Sequence, residues 1–308
     1  MRDRAALVAF AQESISRGSK SFRFASRLFD RTTRERVWLL YAWCRKCDDM
    51  ADGQDHGGAM EAVTDPQARL QVIRELTAMA LAGTPTSDPA FDCLGVVAHE
   101  CGITSRMAED VIEGFALDAA DWRPRRESDL YQYCYHVAGA VGVMMAVVMG
   151  VPADDDATLD RACDLGLAFQ LANIARDIAE DDAAGRCYLP DDWLAMLDIG
   201  QGEYMNPHNR KKLALIGHWL ADEAEQYEAS ARVGAKHLPL RARWAVLSAA
   251  GIYGEIARKV RAAQAHAWDH RIFTSRPEKF HWVRKAFVDA IANNPRDTNR
   301  DMLWTRVR

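Results

Sequence analysis

Two segments of the chain carry polar side chains at helical spacing within otherwise apolar sequence. The two stripes consist of Tyr41, Arg45, Asp48 and Asp52, and of Gln170, Asn173, Asp177 and Asp181. Offsets of three and four residues place each set on one side of an α-helix. The other positions are mostly Leu, Ile, Ala, Phe, Trp and Cys, which is typical of a helix buried inside a protein. Because carboxylates in a packed interior need a cation or a hydrogen-bond donor, the stripes indicate a polar site.

Both stripes contain an Asp-x-x-x-Asp pair, and neither contains His or Cys. Short oxygen ligands of this kind favour Mg²⁺, with Mn²⁺ as a substitute, because these cations keep several waters and share their coordination with substrate phosphates. Zn²⁺ would require nitrogen or sulfur ligands. Arg45 and Arg176 add forked, permanently charged donors that match phosphate oxygens. We therefore expect a diphosphate bridged by Mg²⁺ between two helices that face each other across a cavity.

Other interpretations of these patterns are weaker. A single Asp-x-x-x-Asp pair would more often belong to an exposed helix face with ordinary charge pairs, but two matched stripes favour the metal site. The segment GSKSF at 18–22 offers hydroxyls and a lysine before a helix and could hold phosphate, although alone it is a weak signal. His266 and His270 lack a third metal ligand and are interpreted as structural or surface residues.

Composition limits the class of protein. The chain has 308 residues and a formal net charge of -5, so nucleic acid is not an expected partner. Its seven cysteines are scattered, which is typical of free thiols in a reducing compartment such as the cytoplasm. Cys44 and Cys47 form a CxxC pair without a second metal-binding motif, so we interpret them as packing residues. No basic region followed by an apolar stretch opens the chain, so secretion is not expected.

Helical periodicity dominates the chain, and neither alternating strand patterns nor linker-like stretches occur. The apolar run Val137–Val151 is shorter than the ~20 residues that cross a bilayer. We expect it to form a core helix whose small residues leave room for a long apolar ligand. A later helix is expected over Leu238–Arg271, and the irregular stretch 185–209 is typical of a lid or functional loop. The sequence predicts a single all-α domain over residues 1–308.

Five ordered segments together resemble the squalene/phytoene synthase family, and most closely its bacterial members. They are SKSF at 19–22, YAWCRKCDDMAD at 41–52, YCYHVAGAVG at 133–142, FQLANIARDIAED at 169–181 and GRCYLP at 185–190. The resemblance extends over residues 10–292. It implies an all-α isoprenoid-synthase fold with a central apolar cavity.

The resemblance also implies roles for individual residues. The metal ligands would be Asp48, Asp52, Asn173, Asp177 and Asp181. The substrate contacts would be Gly18, Ser19, Lys20, Ser21, Phe22, Tyr41, Arg45, Tyr133, Gln170, Arg176, Tyr188, Tyr253, Arg271 and Lys279. The catalytic set would be Tyr41, Arg45, Asp48, Asp52, Asp177 and Asp181. Phe22 and Tyr133 would line the apolar cavity, whereas Tyr188 and Lys279 would lie near diphosphate. Family members often carry His where Gly18 stands, and this chain departs from them there.

The activity implied by the resemblance is a Mg²⁺-dependent, head-to-head condensation of two prenyl diphosphates. Two geranylgeranyl diphosphates would give phytoene, the first committed product of carotenoid biosynthesis, through a cyclopropyl (prephytoene) diphosphate. Proton loss would end the reaction, so NADPH is not expected. Condensation of two farnesyl diphosphates to squalene or dehydrosqualene is the alternative within the family. A non-catalytic, assembly-factor role is a third interpretation, which the intact Asp pairs disfavour.

The C-terminal part of the chain is basic. Residues 271–308 contain nine Lys or Arg and four Asp or Glu. Five of the basic residues lie close together, at Arg271, Arg276, Lys279, Arg284 and Lys285. Each cation near an anionic leaflet contributes about 1 kcal/mol before salt screening. We therefore expect a cytoplasmic protein with weak peripheral contact to the inner face of the membrane and without an integral span.

Overall fold

A computed structural model describes residues 3–18, 25–52, 65–120 and 122–307, without the side chain of Asp52. All regular elements in these ranges are helical, which confirms the predicted all-α class. The α-helices are α1 (Arg4–Gly18), α2 (Arg31–Asp52), α3 (Pro66–Leu81), α4 (Pro89–Cys101), α5 (Ser105–Ala119), α6 (Glu127–Cys134), α7 (Ala140–Val148), α8 (Asp156–Ala183), α9 (Asp191–Met196), α10 (Arg210–Gly234), α11 (Leu240–Ala263) and α12 (Arg276–Ala292).

The helices belong to two compact units. The first comprises Met1–Ala120 and Val143–Leu159, and the second comprises Asp121–Gly142 and Asp160–Arg308. Helices α1 to α5 lie in the first unit, whereas α6 and α9 to α12 lie in the second. Both α7 and α8 contribute residues to each unit. The expected single domain over the whole chain stays a prediction.

The core of the first unit forms around the middle of α2. Trp43 is fully buried there, and its indole N–H donates to the Thr77 hydroxyl of α3 at 3.2 Å. On α1, the residues Leu7, Ala11 and Ile15 recur at helical spacing and are buried. These contacts hold α2, which carries the first polar stripe, inside its unit.

The cysteines behave as packing residues. All seven lie within the described ranges and are free thiols. Cys47 is buried and Cys44 half-buried, and burial raises the pKa of both thiols, that of Cys44 to about 12. Because the thiolate is the form that binds metals and attacks electrophiles, such thiols are inert at neutral pH. The interpretation of the CxxC pair as packing residues is confirmed.

Helix α8 lies at the centre of the second unit. Leu167, Leu171, Ala172 and Ala175 are fully buried along its length, as the apolar sequence predicts. Trp268, from the segment after α11, is also buried, and its indole N–H donates to the Ala175 carbonyl at 3.0 Å. The helix that carries the second polar stripe is therefore enclosed by its own unit.

Helix α11 ends earlier than the sequence predicted. It stops at Ala263, and the predicted continuation to Arg271 was wrong. The break occurs because Gln264 adopts a positive φ of 52°, a conformation that interrupts a right-handed helix. His266 then lies at the surface, 2.8 Å from a carboxylate oxygen of Asp269. No Gly or Pro marks the end in the sequence.

The apolar run Val137–Val151 is likewise not a single helix. A π-helical turn, Tyr135–Gly139, follows α6, and α7 then extends from Ala140 to Val148. Turns of this kind insert one residue into the helical hydrogen-bond pattern and are frequent at functional sites. Among the described helices, none combines the length and the apolar character needed to cross a bilayer. The stretch 185–209 is largely irregular, as predicted, but contains α9 and a short 3₁₀ turn.

The C-terminal segment after α12 is fixed to α8 by ion pairs. Asp164 is fully buried, and Nε and Nη2 of Arg300 each lie 2.7 Å from its carboxylate oxygens. The Ser230 hydroxyl donates to the same carboxylate at 2.5 Å. Arg306 Nε lies 2.9 Å from Asp160. Burial raises the pKa of Asp164 and Arg300 opposes that shift, so the carboxylate depends on this partner.

We expect Arg300→Gln to lower the free energy of unfolding by about 3 kcal/mol, because it leaves a buried carboxylate without its cation. Adding Asp164→Asn should restore part of the loss, since the double variant removes both charges. Denaturant unfolding of both variants measures this, with the exposed Arg276→Gln as a neutral control. A double variant no more stable than Arg300→Gln would contradict the buried pair.

Candidate active site

The first polar stripe lies on α2 in the first unit. Arg45 Nη1 lies 2.6 Å from Asp48 Oδ2 and 3.5 Å from Asp49 Oδ1. Burial raises the pKa of the Tyr41 hydroxyl, and the adjacent Arg45 guanidinium opposes that shift. Helical spacing of three and four residues brings these groups together. The stripe is therefore a half-buried guanidinium with carboxylates on one side and a phenol on the other.

Gly18, the last residue of α1, lies directly against this stripe. A Cβ atom at Gly18 would lie 2.4 Å from the Tyr41 hydroxyl and 3.7 Å from Arg45 Nε. A His at this position would therefore require the Tyr41 ring to move. The Tyr41 hydroxyl therefore occupies the space that a side chain at position 18 would need.

The second stripe, on α8, is organised around Asp177. Arg176 donates to both of its carboxylate oxygens, with Nε 2.6 Å from Oδ1 and Nη2 in a very short contact with Oδ2. Arg271 Nη2 lies 3.0 Å from Asp177 Oδ1, and Arg271 Nη1 lies 3.4 Å from Glu180 Oε1. Two guanidinium groups therefore meet one half-buried carboxylate, which balances a charge that the apolar helix alone would not tolerate.

Tyr253 borders the same cluster. Its ring stacks on Phe169 with the centroids 4.3 Å apart. Burial raises the pKa of the Tyr253 hydroxyl, and the positive charge of Arg176 opposes that shift. The phenol therefore stays protonated at neutral pH and can act as a hydrogen-bond donor next to the guanidinium.

A stack of aromatic rings forms beside α6. The Tyr133 ring stacks on Trp122 with the centroids 5.4 Å apart, and on Tyr188 with the centroids 4.7 Å apart. Tyr133 and Tyr188 are both buried. The structure thus brings together two residues that the sequence placed in different roles, cavity lining and diphosphate contact.

Alternate tyrosines of α6 and the following turn take separate roles. The Tyr131 hydroxyl is hydrogen-bonded to carboxylates of Glu127 and Glu223, each at 2.9 Å. The Tyr135 ring contacts Trp304 of the C-terminal segment, with the centroids 5.6 Å apart. Only Tyr133 of these three joins the aromatic stack, because residues two apart point to different sides of a helix.

The remaining predicted residues are placed as follows. Gln170, Asn173 and Asp181 lie half-buried on α8, and Lys279 lies half-buried in the first turn of α12. The predicted contacts that lie outside the described residues are Ser19, Lys20, Ser21, Phe22 and the side chain of Asp52.

The donor set on α8 fits the proposed metal. Asn173, Asp177 and Asp181 offer oxygen ligands on successive turns. In the part of the chain that the structure describes, no three Asp, Glu, His or Cys side chains are grouped so as to enclose a metal ion. An open oxygen donor set suits Mg²⁺, which completes its shell with water and substrate phosphate. The oxygen donors of these three residues are compatible with Mg²⁺, whereas Zn²⁺ would need nitrogen or sulfur ligands.

Small residues hold α8 against the π-helical turn. A Cβ atom at Gly166 would lie 2.3 Å from the Ala138 carbonyl oxygen and 2.6 Å from Gly139 Cα. A Cβ atom at Gly142 would lie 2.5 Å from the Ala162 carbonyl oxygen. Of these two glycines, Gly142 belongs to the apolar run Val137–Val151, and the close backbone contact there shows that the expectation of room for a ligand is wrong at this residue.

Sequence reasoning missed several neighbours of the site. Asp49 and Glu180 lie four residues after Arg45 and Arg176, so helical spacing alone could have identified both. The contacts of Trp122 and Phe169 with the site tyrosines join different elements of the second unit. No local pattern in the sequence marks such ring stacking.

Comparison with known proteins identifies relatives over nearly the whole chain. Residues 15–278 match the family model described as squalene/phytoene synthase. A phytoene synthase from Pseudescherichia vulneris is 47% identical over 304 residues, which cover 97% of this chain and 98% of the relative. A 15-cis-phytoene synthase from Pantoea ananas is 46% identical over 307 residues, with 97% and 98% coverage. The crystal structure of a dehydrosqualene synthase in complex with ligand superimposes with a TM-score of 0.82 at 27% identity, covering 94% of this chain and 98% of that chain.

The chain belongs to the squalene/phytoene synthase family. The match confirms the resemblance that the five sequence segments indicated, and the structural likeness confirms the predicted helical fold. The central apolar cavity expected from the resemblance stays a prediction.

The close backbone contact at Gly166 can be tested by substitution. Gly166→Ala places a methyl group against backbone atoms that cannot rotate away, so we expect a loss of about 3 kcal/mol in stability and reduced activity. Gly217→Ala is the matched control, because its Cβ would approach side chains and not backbone, with the Trp268 ring at 3.2 Å and Val260 Cγ1 at 3.5 Å. That variant should stay within about 1 kcal/mol of the parent, since alanine also favours the helix. Thermal unfolding and turnover measure both variants, and equal behaviour would contradict the tight contact.

Proposed function

We propose that this protein is a phytoene synthase, a prenyltransferase that joins two geranylgeranyl diphosphates head to head. The proposal is carried by near-full-length similarity, at 44–47% identity, to four bacterial relatives named phytoene synthase or 15-cis-phytoene synthase. Both acidic stripes are intact in this sequence, which supports a catalytic role over a non-catalytic one. The product would be the first committed intermediate of carotenoid biosynthesis.

Guanidinium groups would receive the diphosphates. Arg176 and Arg271 both contact Asp177, and Arg45 contacts Asp48. A guanidinium fork binds phosphate oxygens with the same geometry as carboxylate oxygens, so these side chains can exchange one partner for the other. The cations needed for substrate binding are therefore already held beside the acidic residues before substrate arrives.

Divalent cations would assist departure of the diphosphate. Mg²⁺, with Mn²⁺ as a substitute, would neutralise the charge that develops on the leaving group. We assign its ligands to the two stripes, at Asp48, Asp52, Asn173, Asp177 and Asp181. Carboxylates freed from their arginine partners would then face the cation. NADPH would not be needed, because the reaction would end with loss of a proton and not with a reduction.

Aromatic side chains would protect the allylic cation. We assign this role to the aromatic stack of Trp122, Tyr133 and Tyr188, because the electron-rich π face of a ring at the end of the stack would attract positive charge. Such surface also excludes water, which would quench the cation before the second prenyl chain attacks. Tyr253, protonated beside Arg176, can donate a hydrogen bond to a diphosphate oxygen.

The product distinguishes the proposal from its alternative within the family. Purified protein with geranylgeranyl diphosphate and Mg²⁺, without NADPH, should release the forty-carbon hydrocarbon phytoene, identified by chromatography and mass spectrometry. Farnesyl diphosphate should be converted poorly. A thirty-carbon product in preference would instead assign squalene or dehydrosqualene synthesis, and removal of Mg²⁺ by a chelator should stop either reaction.

We expect Asp177→Asn to lower turnover at least about 100-fold, because the amide cannot replace a charged ligand at the leaving group. Without metal, its free energy of unfolding should fall by only about 1 kcal/mol, since a neutral amide still accepts hydrogen bonds from Arg176 and Arg271. Asp192→Asn, at an exposed position on α9, is the control and should behave like the parent. Near-normal turnover of Asp177→Asn would contradict the assignment of Asp177 as a metal ligand.

The substrates and product suggest where the protein works. Both are long apolar chains, and the hydrocarbon product has no favourable place in water. We propose a cytoplasmic enzyme that makes weak, reversible contact with the inner face of the membrane.

A further inference from the structure

Helix α12 presents an unusual row of apolar side chains to solvent. Phe280, Val288 and Ile291 are 66%, 64% and 59% exposed, and Phe287 is 42% exposed although its ring also contacts Trp244 of α11, with the centroids 5.0 Å apart. Their spacing of three, four and seven residues places them on one side of the helix. Phe273, just before the helix, is 69% exposed. Single exposed apolar residues are ordinary, but a contiguous row on one helix face marks an interaction surface.

The opposite side of α12 is fixed to α11. The Trp244 indole donates to the Val283 carbonyl at 2.9 Å, and Arg243 Nη1 donates to the Ala290 carbonyl at 2.8 Å. Ala286 and Ala290 are buried in this contact. The exposed row therefore belongs to a helix that is already packed along its other side, and folding of the unit leaves it uncovered.

The charges of α12 are divided between its two sides. Glu278 pairs with Lys259 of α11 at 2.6 Å, and Asp289 lies 3.9 Å from Arg232 of α10. Arg284 and Lys285 are exposed, and Lys285 Nζ lies 4.9 Å from the centroid of the Trp282 ring. Arg284 falls within the apolar row by helical spacing, four residues after Phe280. The outer side of the helix thus combines apolar side chains with Arg284 and has Lys285 at its border, whereas Glu278 and Asp289 pair with residues of α11 and α10.

Apolar side chains next to positive charge favour an anionic lipid surface as the binding partner of this face. A lipid surface with anionic headgroups accepts aromatic and aliphatic side chains between its headgroups and attracts Lys and Arg beside them. A second copy of the chain would place the cations of one helix against those of the other in a symmetric contact. The few side chains of the row are also far less than a standard protein interface of about 1,600 Å² requires.

We propose that the outer face of α12, formed by Phe280, Arg284, Phe287, Val288 and Ile291 and bordered by Lys285, is a membrane-docking face for anionic lipid. The inference extends the peripheral contact included in the proposed function. It adds apolar insertion to the electrostatic attraction, and it moves the contact away from Arg271, which is engaged by Asp177 and Glu180.

Sedimentation of the purified full chain with vesicles tests the docking face. One set of vesicles contains equal parts phosphatidylcholine and phosphatidylglycerol, and the other contains phosphatidylcholine alone. The parent should sediment with the anionic vesicles, more at low than at high salt. Phe280→Ser combined with Ile291→Ser should reduce binding on the order of tenfold or more, because two apolar side chains no longer insert. The matched control, Met196→Ser with Leu215→Ser, changes exposed apolar residues elsewhere in the same unit and should bind like the parent.

The charged part of the face is tested separately. Arg284→Gln with Lys285→Gln should weaken binding at low salt and leave little salt dependence, whereas the control Lys211→Gln with Lys236→Gln should not. Parent-like binding of the Phe280 and Ile291 variant would overturn the proposal. So would a concentration-dependent dimer, seen by analytical ultracentrifugation, that this variant abolishes. Turnover of the same proteins is measured in detergent solution, so failure to make product refutes the proposed activity without affecting the binding result.

Discussion

Charge balance on the buried helix α8 is the constraint on which the second unit depends. The helix carries carboxylates at both ends of an apolar middle, and each requires a cation because burial penalises its charge. At one end Arg300 meets Asp164, and at the other Arg176 and Arg271 meet Asp177. Arg271 and Arg300 come from the last part of the chain. The segments on both sides of α12 are therefore tied to the helix that carries the site.

Close backbone packing is the second feature that positions the residues of the candidate site. The π-helical turn after Tyr133 lies against Gly166, only four residues before Gln170 of the polar stripe. Any larger residue at this contact would push the turn away from α8. The aromatic stack begins on the helix that leads into the turn, so its position relative to the stripe is set by this contact. The same turn contacts the C-terminal segment through Tyr135 and Trp304.

The arginine partners also explain how an acidic site can exist in a folded chain without its ligands. Carboxylates on neighbouring turns of a helix would repel one another without nearby positive charge. Arg45 beside Asp48, and Arg176 beside Asp177, supply positive charge within the stripe itself. Because the same guanidinium groups suit phosphate, the proposed mechanism would use the counterions of the free protein as binding groups for the substrate.

The two stripes and the all-α class could be predicted from the sequence because helical spacing is a local property. Five matching segments were likewise enough to identify the family. The pairing of Arg271 with Asp177 could not be predicted in the same way. It depends on the end of α11 before Gln264. This residue has a positive φ although it is not a glycine, so the sequence gives no sign that the helix ends there. The exposed outer face of α12 could not be predicted from the sequence either. Apolar residues occupy both sides of that helix, and periodicity does not show which side is packed. Local spacing determines which residues share a helix face, whereas long-range packing decides which of those faces are covered and which charges meet.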